Sequence, residues 1–349
     1  MQIGGKHKFD RFYIALSVPF KKGTDEIDYE EYRKVVEHFA QEKYTSRGFS
    51  YIVNPEAGEI FALTREERRK LMEIGRAAMP KDVPILTGVT GSSLREALEI
   101  VEDAKQTGMD GIFVCPPLGS MDITTSCDLT YYPEIWLDWV QAIDEAANMP
   151  IILHPATRDT AEWGAGIPLD VIKQTVRQCK NVVGWKGIAA DSKIPEYAAF
   201  FREFEKETGR HISILAAAAY TFAPLAAQDY LDGAVSCYLN FSADKVIEMF
   251  DALEESVEKG NAVMADGLGQ LFYYVTVGEY PAGTGGVRLH TNFKVATWLC
   301  GLISSPICRS PMPKPRKHDV IKIAELMKKA GIPVIPQEQI DEVLQELKR

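Results

Sequence analysis

Residues 85–115 read ILTGVTGSSLREALEIVEDAKQTGMDGIFVC. Two short β-branched runs, Ile85–Val89 and Gly111–Cys115, flank a stretch whose apolar residues recur at helical spacing. Ser93-x-x-Glu96 ahead of ALEIVEDAKQ has the form of a capping box, and Gly108 stands where a helix of that length stops. Strand, helix and strand in so short a span imply a crossover between parallel strands.

The same rhythm runs outward in both directions. Phe12–Val18, Phe49–Val53, Ile151–His154, Val182–Lys186, Ile212–Ala216 and Ala234–Cys237 complete a set of eight predicted strands. Several are apolar on both faces, as strands must be when side chains fill a barrel on one side and helices cover the other. Thr64-x-x-Glu67 ahead of RRKLMEIGRAAM reads as another capping box, and Met79-Pro80 closes that helix. A doubly wound open sheet shares the alternation, but its first turn is normally a glycine-rich phosphate loop, and here that turn reads VPFKKGTDE. The expected fold is therefore a (β/α)8 TIM barrel over residues 1–255, with a C-terminal helical extension over 256–349 packed on it. Asn240–Glu255 reads as helix. The extension reads as helical with interruptions at GEYPAGTGGVRLHTN and SSPICRSPMPKPRKHD, and Ser305–Lys317 reads as an ordered crossing over the barrel wall.

Composition excludes several function classes. The 349 residues are 46% hydrophobic and 25% charged, with a net charge of -10, which argues against a nucleic-acid surface. No window approaches the roughly 18 to 20 apolar residues of a membrane span, and MQIGGKHKFDRF lacks the apolar core of a signal peptide, so a cytoplasmic protein is expected. Cys115, Cys127, Cys179, Cys237, Cys300 and Cys308 form no CxxC pair. His7, His38, His154, His211, His290 and His318 never fall at i, i+3 or i, i+4 spacing, so no metal is expected.

Barrel enzymes carry their chemistry at the C-terminal ends of the strands. Lys186 ends NVVGWK there, before the small GIAAD turn. An amine walled by apolar side chains loses solvation that favours its charged form, and a neutral amine attacks ketones and aldehydes. The competing role is a lysine snorkelling at the rim or pairing with Asp191. His154 ends PIILHP on the adjacent predicted strand, where an imidazole can serve as general acid and base, although an isolated histidine is more often a satisfied structural side chain. After the second strand, Asn54-Pro-Glu-Ala-Gly58-Glu59 offers backbone amides that Gly58 allows a carboxylate to approach; an ordinary strand-to-helix turn has the same look.

Over residues 10–260 the chain resembles the dihydrodipicolinate synthase and N-acetylneuraminate lyase family, pyruvate-dependent class I aldolases and lyases. FYIALSVPF with IDYEEYRKVVEHF is similar to the family's first strand and helix, and residues 85–117 to its third and fourth units. NPEAGEIFALTREER falls at its glycine-threonine-threonine-glycine-glutamate loop, and NVVGWKG at its Schiff-base lysine. The resemblance implies that Lys186 is the covalent nucleophile and that no further cofactor is needed. It also places His154 where the family has a proton-relay tyrosine, and Glu56 and Ala57 where its carboxylate-binding threonines stand. A glutamate side chain in the pocket would repel a carboxylate or take a proton. Arg158 lies near a family arginine that contacts substrate carboxylates, and Tyr238 and Asn240 fall in its eighth-strand region. PPLGSMD and NFKVATWLCGLISSPICRSPMP are nearer the hydratase-aldolase branch, which cleaves aryl-substituted pyruvates.

Three functions follow as expectations. The first is a carbon-carbon lyase: Lys186 forms an imine with a 2-oxo acid, His154 shuttles the proton, the loop at Glu56, Ala57 and Gly58 holds the carboxylate, and pyruvate is one product. The second is a dehydratase of a 2-keto-3-deoxy sugar acid using the same imine, and the third a catalytically silent small-molecule-binding homologue. The family resemblance implies a homo-oligomer, a tetramer or dimer, for which Tyr131 and Tyr132 are candidate contacts. The aldehyde side is expected to be built by loop residues such as Leu118–Thr125.

Overall fold

The computed structural model describes residues 6–118, 128–160, 164–218, 221–276 and 286–347. The barrel strands are β1 (Phe12–Ala15), β2 (Phe49–Val53), β3 (Leu86–Val89), β4 (Gly111–Val114) and β5 (Ile151–Leu153). After a small antiparallel pair, β6 (Ala156–Thr160) and β7 (Gly164–Gly166), come β8 (Val182–Gly187), β9 (Ser213–Ala216) and β10 (Gly233–Ser236). The closed ring runs β1-β2-β3-β4-β5-β8-β9-β10 and back to β1, every neighbour parallel. Each expected strand is present within a few residues of its expected bounds.

Alternation along the strands divides the core in two. Ile14, Tyr51, Val114, Leu153 and Trp185 face outward into the layer shared with the helices. Tyr13, Ile52, Leu86, Phe113, Ile152, Leu215 and Val235 face inward and fill the lower barrel. Two residues further along these strands, on the same inward face, the side chains shrink to Ala15, Ala217 and Cys237, which leaves a cavity above the inner core.

The helix Arg65–Ala78 starts with the full capping box, Thr64 and Glu67 bonding reciprocally. The box at Ser93 is half of one: its hydroxyl accepts from Glu96 N, but the Glu96 carboxylate accepts from Ser92 N instead. Gly108 takes the left-handed φ of +74° after the helix Leu94–Gln106.

The C-terminal helices pack on the barrel, and Lys294 makes a fully buried 2.7 Å ion pair with Glu59. Ser305–Lys317 crosses the wall as an ordered segment: Arg309 pairs with Glu67 at 2.7 Å, and its backbone N–H donates to Glu59. One expected boundary is corrected. The interruption read from 278 through Asn292 is shorter, because a helix spans Gly286–Leu299; its sequence lacks the apolar contrast that marks a helix, while its buried side chains are polar as well as apolar.

Candidate active site

A β-bulge aims Lys186. Between β5 and β8 the pairing steps from Ile151–Val182 to Ile152–Gly184, so Val183 is an extra residue. Val182 faces the outer layer, Val183 packs on the inner core, and after the bulge Trp185 again faces outward, stacked on Tyr197 at 5.0 Å. Lys186, the next residue, therefore points into the barrel, with Nζ 5.8 Å from the Phe113 ring centre. Uninterrupted alternation from Val182 would have turned it outward. Gly184 beneath it leaves the space that a side chain would fill against Ile152.

His154 reaches the same cavity by simple alternation, two residues beyond the inward Ile152, and its ring stacks on Phe113 at 4.9 Å. Its Nε2 lies 2.6 Å from Glu56 Oε2, while Nδ1 is sealed from solvent with no hydrogen-bond partner among the described residues. With the proton on Nε2, the imidazole donates to the carboxylate. Burial, reinforced by the Lys186 cation, pushes His154 down to about 4 in spite of that bond, so it is neutral at neutral pH. Burial alone would push the Glu56 carboxyl up; the hydrogen bond from His154 and the positive charge of Lys186, joined by that of His154 and His290 when protonated, outweigh it and hold Glu56 well below the usual carboxylate range. Although 45% of the Glu56 side chain is accessible, that surface faces cavities on both sides of it.

These cavities differ in character. The first, about 510 Å³, holds Lys186, Ala57, Asp191, Tyr238, Thr276 and His290. The second, about 370 Å³, is walled by Ile60, Phe61, Pro116, Leu129, Ile135 and Trp136. Glu56, His154, Ala156 and Thr157 line both, so the carboxylate–imidazole pair stands at their boundary. Burial pushes the Cys237 thiol up to about 12 and Cys115 well above its ordinary value, so neither supplies a thiolate.

The structure thus brings together Lys186, His154, Glu56, Ala57 and Tyr238. It places Gly58 and Asn240 elsewhere. A Cβ on Gly58 would lie 2.6 Å from Leu16 O, so this glycine serves the approach of its loop to β1. The Asn240 amide donates to Ala15 O and Cys237 O and accepts from Ser17 N, ties that knit β1 to β10 and use both of its donors. Arg158 lies on β6, but its side chain is outside the described residues, as is the expected aldehyde-side loop beyond Leu118. His290 and Thr276 were missed: both come from the C-terminal extension, and His290 fell in the segment read as an interruption.

At the opposite end of the barrel, the fold gathers histidines and carboxylates that are far apart in sequence. His211 bridges Glu205 at 3.0 Å and Asp10 at 2.8 Å, with His7 stacked on it and Asp232 nearby. Among the described residues, no helix is long and apolar enough to cross a membrane.

The model of the dihydrodipicolinate synthetase family matches residues 8–330. An uncharacterised DapA-like lyase of Pyrobaculum islandicum is 24% identical over 328 residues, covering 91% of this chain and 97% of the relative. In structure the chain is similar to dihydrodipicolinate synthase from Aquifex aeolicus, with a TM-score of 0.72, 21% identity and coverage of 94% of this chain and 100% of that one. It is also similar to Proteus mirabilis N-acetylneuraminate lyase, with a TM-score of 0.71, 16% identity and coverage of 93% and 100%.

Proposed function

The chain belongs to the dihydrodipicolinate synthetase family of lyases, and from that membership we propose that Lys186 forms an imine with a 2-oxo acid and that a carbon-carbon bond is then cleaved. The supporting observation is a lysine aimed by a bulge into a cavity beside an ionised carboxylate and a neutral imidazole.

Once it has given up its proton, the Lys186 amine adds to the ketone carbon, and loss of water gives an iminium. In a 4-hydroxy-2-oxo acid, removal of the hydroxyl proton lets the C3–C4 bond break: its electrons enter the iminium as an enamine, and the aldehyde leaves. Protonation at C3 and hydrolysis return pyruvate and the free amine. Sequence reasoning gave the proton shuttle to His154 directly. With Nε2 bound to Glu56 and Nδ1 sealed, the group facing the reacting hydroxyl is the Glu56 carboxylate, and His154 orients it. No further cofactor enters this scheme.

Among the described residues the walls of the second cavity are mostly apolar, with Thr90 and Thr157 between them, which favours an aldehyde with a hydrophobic substituent. It also favours cleavage over dehydration of a sugar acid, whose hydroxyls would lose hydrogen bonds against such walls. Incubation with pyruvate and borohydride should add one reduced pyruvyl group per chain, a gain that Lys186→Met abolishes. No gain at saturating pyruvate would leave the silent-homologue reading. Pyruvate released from hydrophobic 4-hydroxy-2-oxo acids supports cleavage; a dehydrated acid of unchanged carbon count supports the dehydratase.

A further inference from the structure

We infer that His290, on the C-terminal helix Gly286–Leu299, is a positioning residue that holds the Glu56 carboxylate in line with the reacting carbon, so that the extension forms part of the active site. The inference rests on the imine reading above.

His290, Phe293, Lys294 and Thr297 stand at i, i+3, i+4 and i+7, one stripe along the helix. Each meets the barrel mouth. Thr297 Oγ1 lies 3.5 Å from Ser17 Oγ, just past β1. Lys294 forms its buried ion pair with Glu59, and Phe293 lines the lysine cavity. His290 lines the same cavity, with its side chain 14% exposed and Nε2 4.0 Å from Glu56 Oε1. The spacing of the two partners matches: Glu56 opens one 3-10 turn and Glu59 joins it to the next, while His290 and Lys294 lie one helical turn apart. The buried Lys294–Glu59 pair fixes the helix, and the helix sets His290 against the carboxylate oxygen that His154 leaves open. A separation of 4.0 Å is too long for a hydrogen bond, so the contact is an ion pair whenever the His290 ring is protonated. The groups whose charge bears on Glu56 are Lys186 from β8 and, when protonated, His154 just past β5 and His290 from the extension. Asp191, Cys237 and Tyr238 are the other titratable side chains lining this cavity among the described residues.

Pyruvate itself is the probe. In D2O, the Lys186 imine loses a C3 proton to Glu56; the C–H electrons form the enamine double bond as the iminium is neutralised, and a deuteron returns to C3. NMR follows deuterium incorporation into the methyl group across a pD series, and borohydride trapping reports imine formation separately. His290→Gln should retain trapping while exchange slows on the order of tenfold to a hundredfold. The acid limb of its pD profile should move to higher pD, because Glu56 loses a neighbour that lowers its pKa. Unchanged exchange and profile in a His290→Gln protein that still traps pyruvate would overturn the inference. Loss of trapping in that variant would also overturn it, by assigning His290 to the amine or the fold. Absence of trapping in the unmodified protein would instead overturn the imine reading itself.

Discussion

Glu56 is the residue on which the proposed chemistry turns, and its sequence context is where the family loop is expected to carry a threonine. Its carboxylate sits between two cavities and accepts from a buried neutral imidazole. Glu56→Gln keeps the shape but removes the proton acceptor, so exchange of pyruvate methyl protons should fall by about 10²- to 10⁴-fold, with borohydride trapping at Lys186 preserved; an exchange rate near that of the unmodified protein would move the base elsewhere. The candidates Lys186, His154, Ala57 and Tyr238 were legible because each ends a predicted strand or closely follows one, at the end of the barrel where such folds carry their chemistry. What Glu56 does was only half legible. Sequence allowed that its side chain enters the pocket, but the bond to His154 joins residues 98 positions apart. Gly58 and Asn240 were read as ligand contacts because they occupy the right turns, whereas the approach of the loop to β1 and a set of backbone acceptors claim them.

The elements carry two devices that strand and helix patterns do not announce. The bulge at Val183 reverses the facing of NVVGWK, so a strand correctly identified from its composition would have been given the wrong inward face by alternation alone. The C-terminal helix Gly286–Leu299 was partly read as loop because its polar residues are buried against barrel partners, which blurs the helical stripe. Lys294 is the anchor of that helix: its Nζ pairs with Glu59 and lies 4.0 Å from the Phe20 ring centre. Lys294→Met should cost about 3–5 kcal/mol, the usual penalty for leaving a buried charge without its partner; urea titration checks this, and a loss below about 1 kcal/mol would mean that Glu59 is neutralised some other way. Thr64→Ala, which removes one arm of an intact capping box, should cost about 1 kcal/mol in the same assay.

For the whole molecule, the two ends of the barrel divide the work, the C-terminal mouth holding the site and the N-terminal end an ionic network around His211. Burial lowers the His211 pKa, but the hydrogen bonds that His211 donates to Asp10 and Glu205 outweigh it and raise the folded value above the ordinary one. The stability this adds is therefore complete below about pH 6.5 and is lost as pH rises through the folded value. The difference in urea midpoint between the unmodified protein and His211→Gln should shrink from pH 6 to pH 9, and a constant difference would contradict the linkage. His154 has the opposite sign: its folded value of about 4 makes its contribution present above about pH 6.5 and lost on acidification. Tyr131 and Tyr132 are 78% and 56% exposed, and we propose that they serve a homo-oligomeric contact, which light scattering on a Tyr131→Ser, Tyr132→Ser variant tests; an unmodified protein of monomer mass would contradict it. The barrel itself was legible because strand composition recurs at eight places, and the joining of its mouth by the C-terminal helix was not, because contacts such as Glu59–Lys294 span 235 positions. The most direct measurement of the central claim is intact mass after borohydride reduction with pyruvate, followed by peptide mapping. One reduced pyruvyl group on Lys186, absent in Lys186→Met, is the predicted result; an unmodified mass at saturating pyruvate, or a label on another lysine, would contradict it.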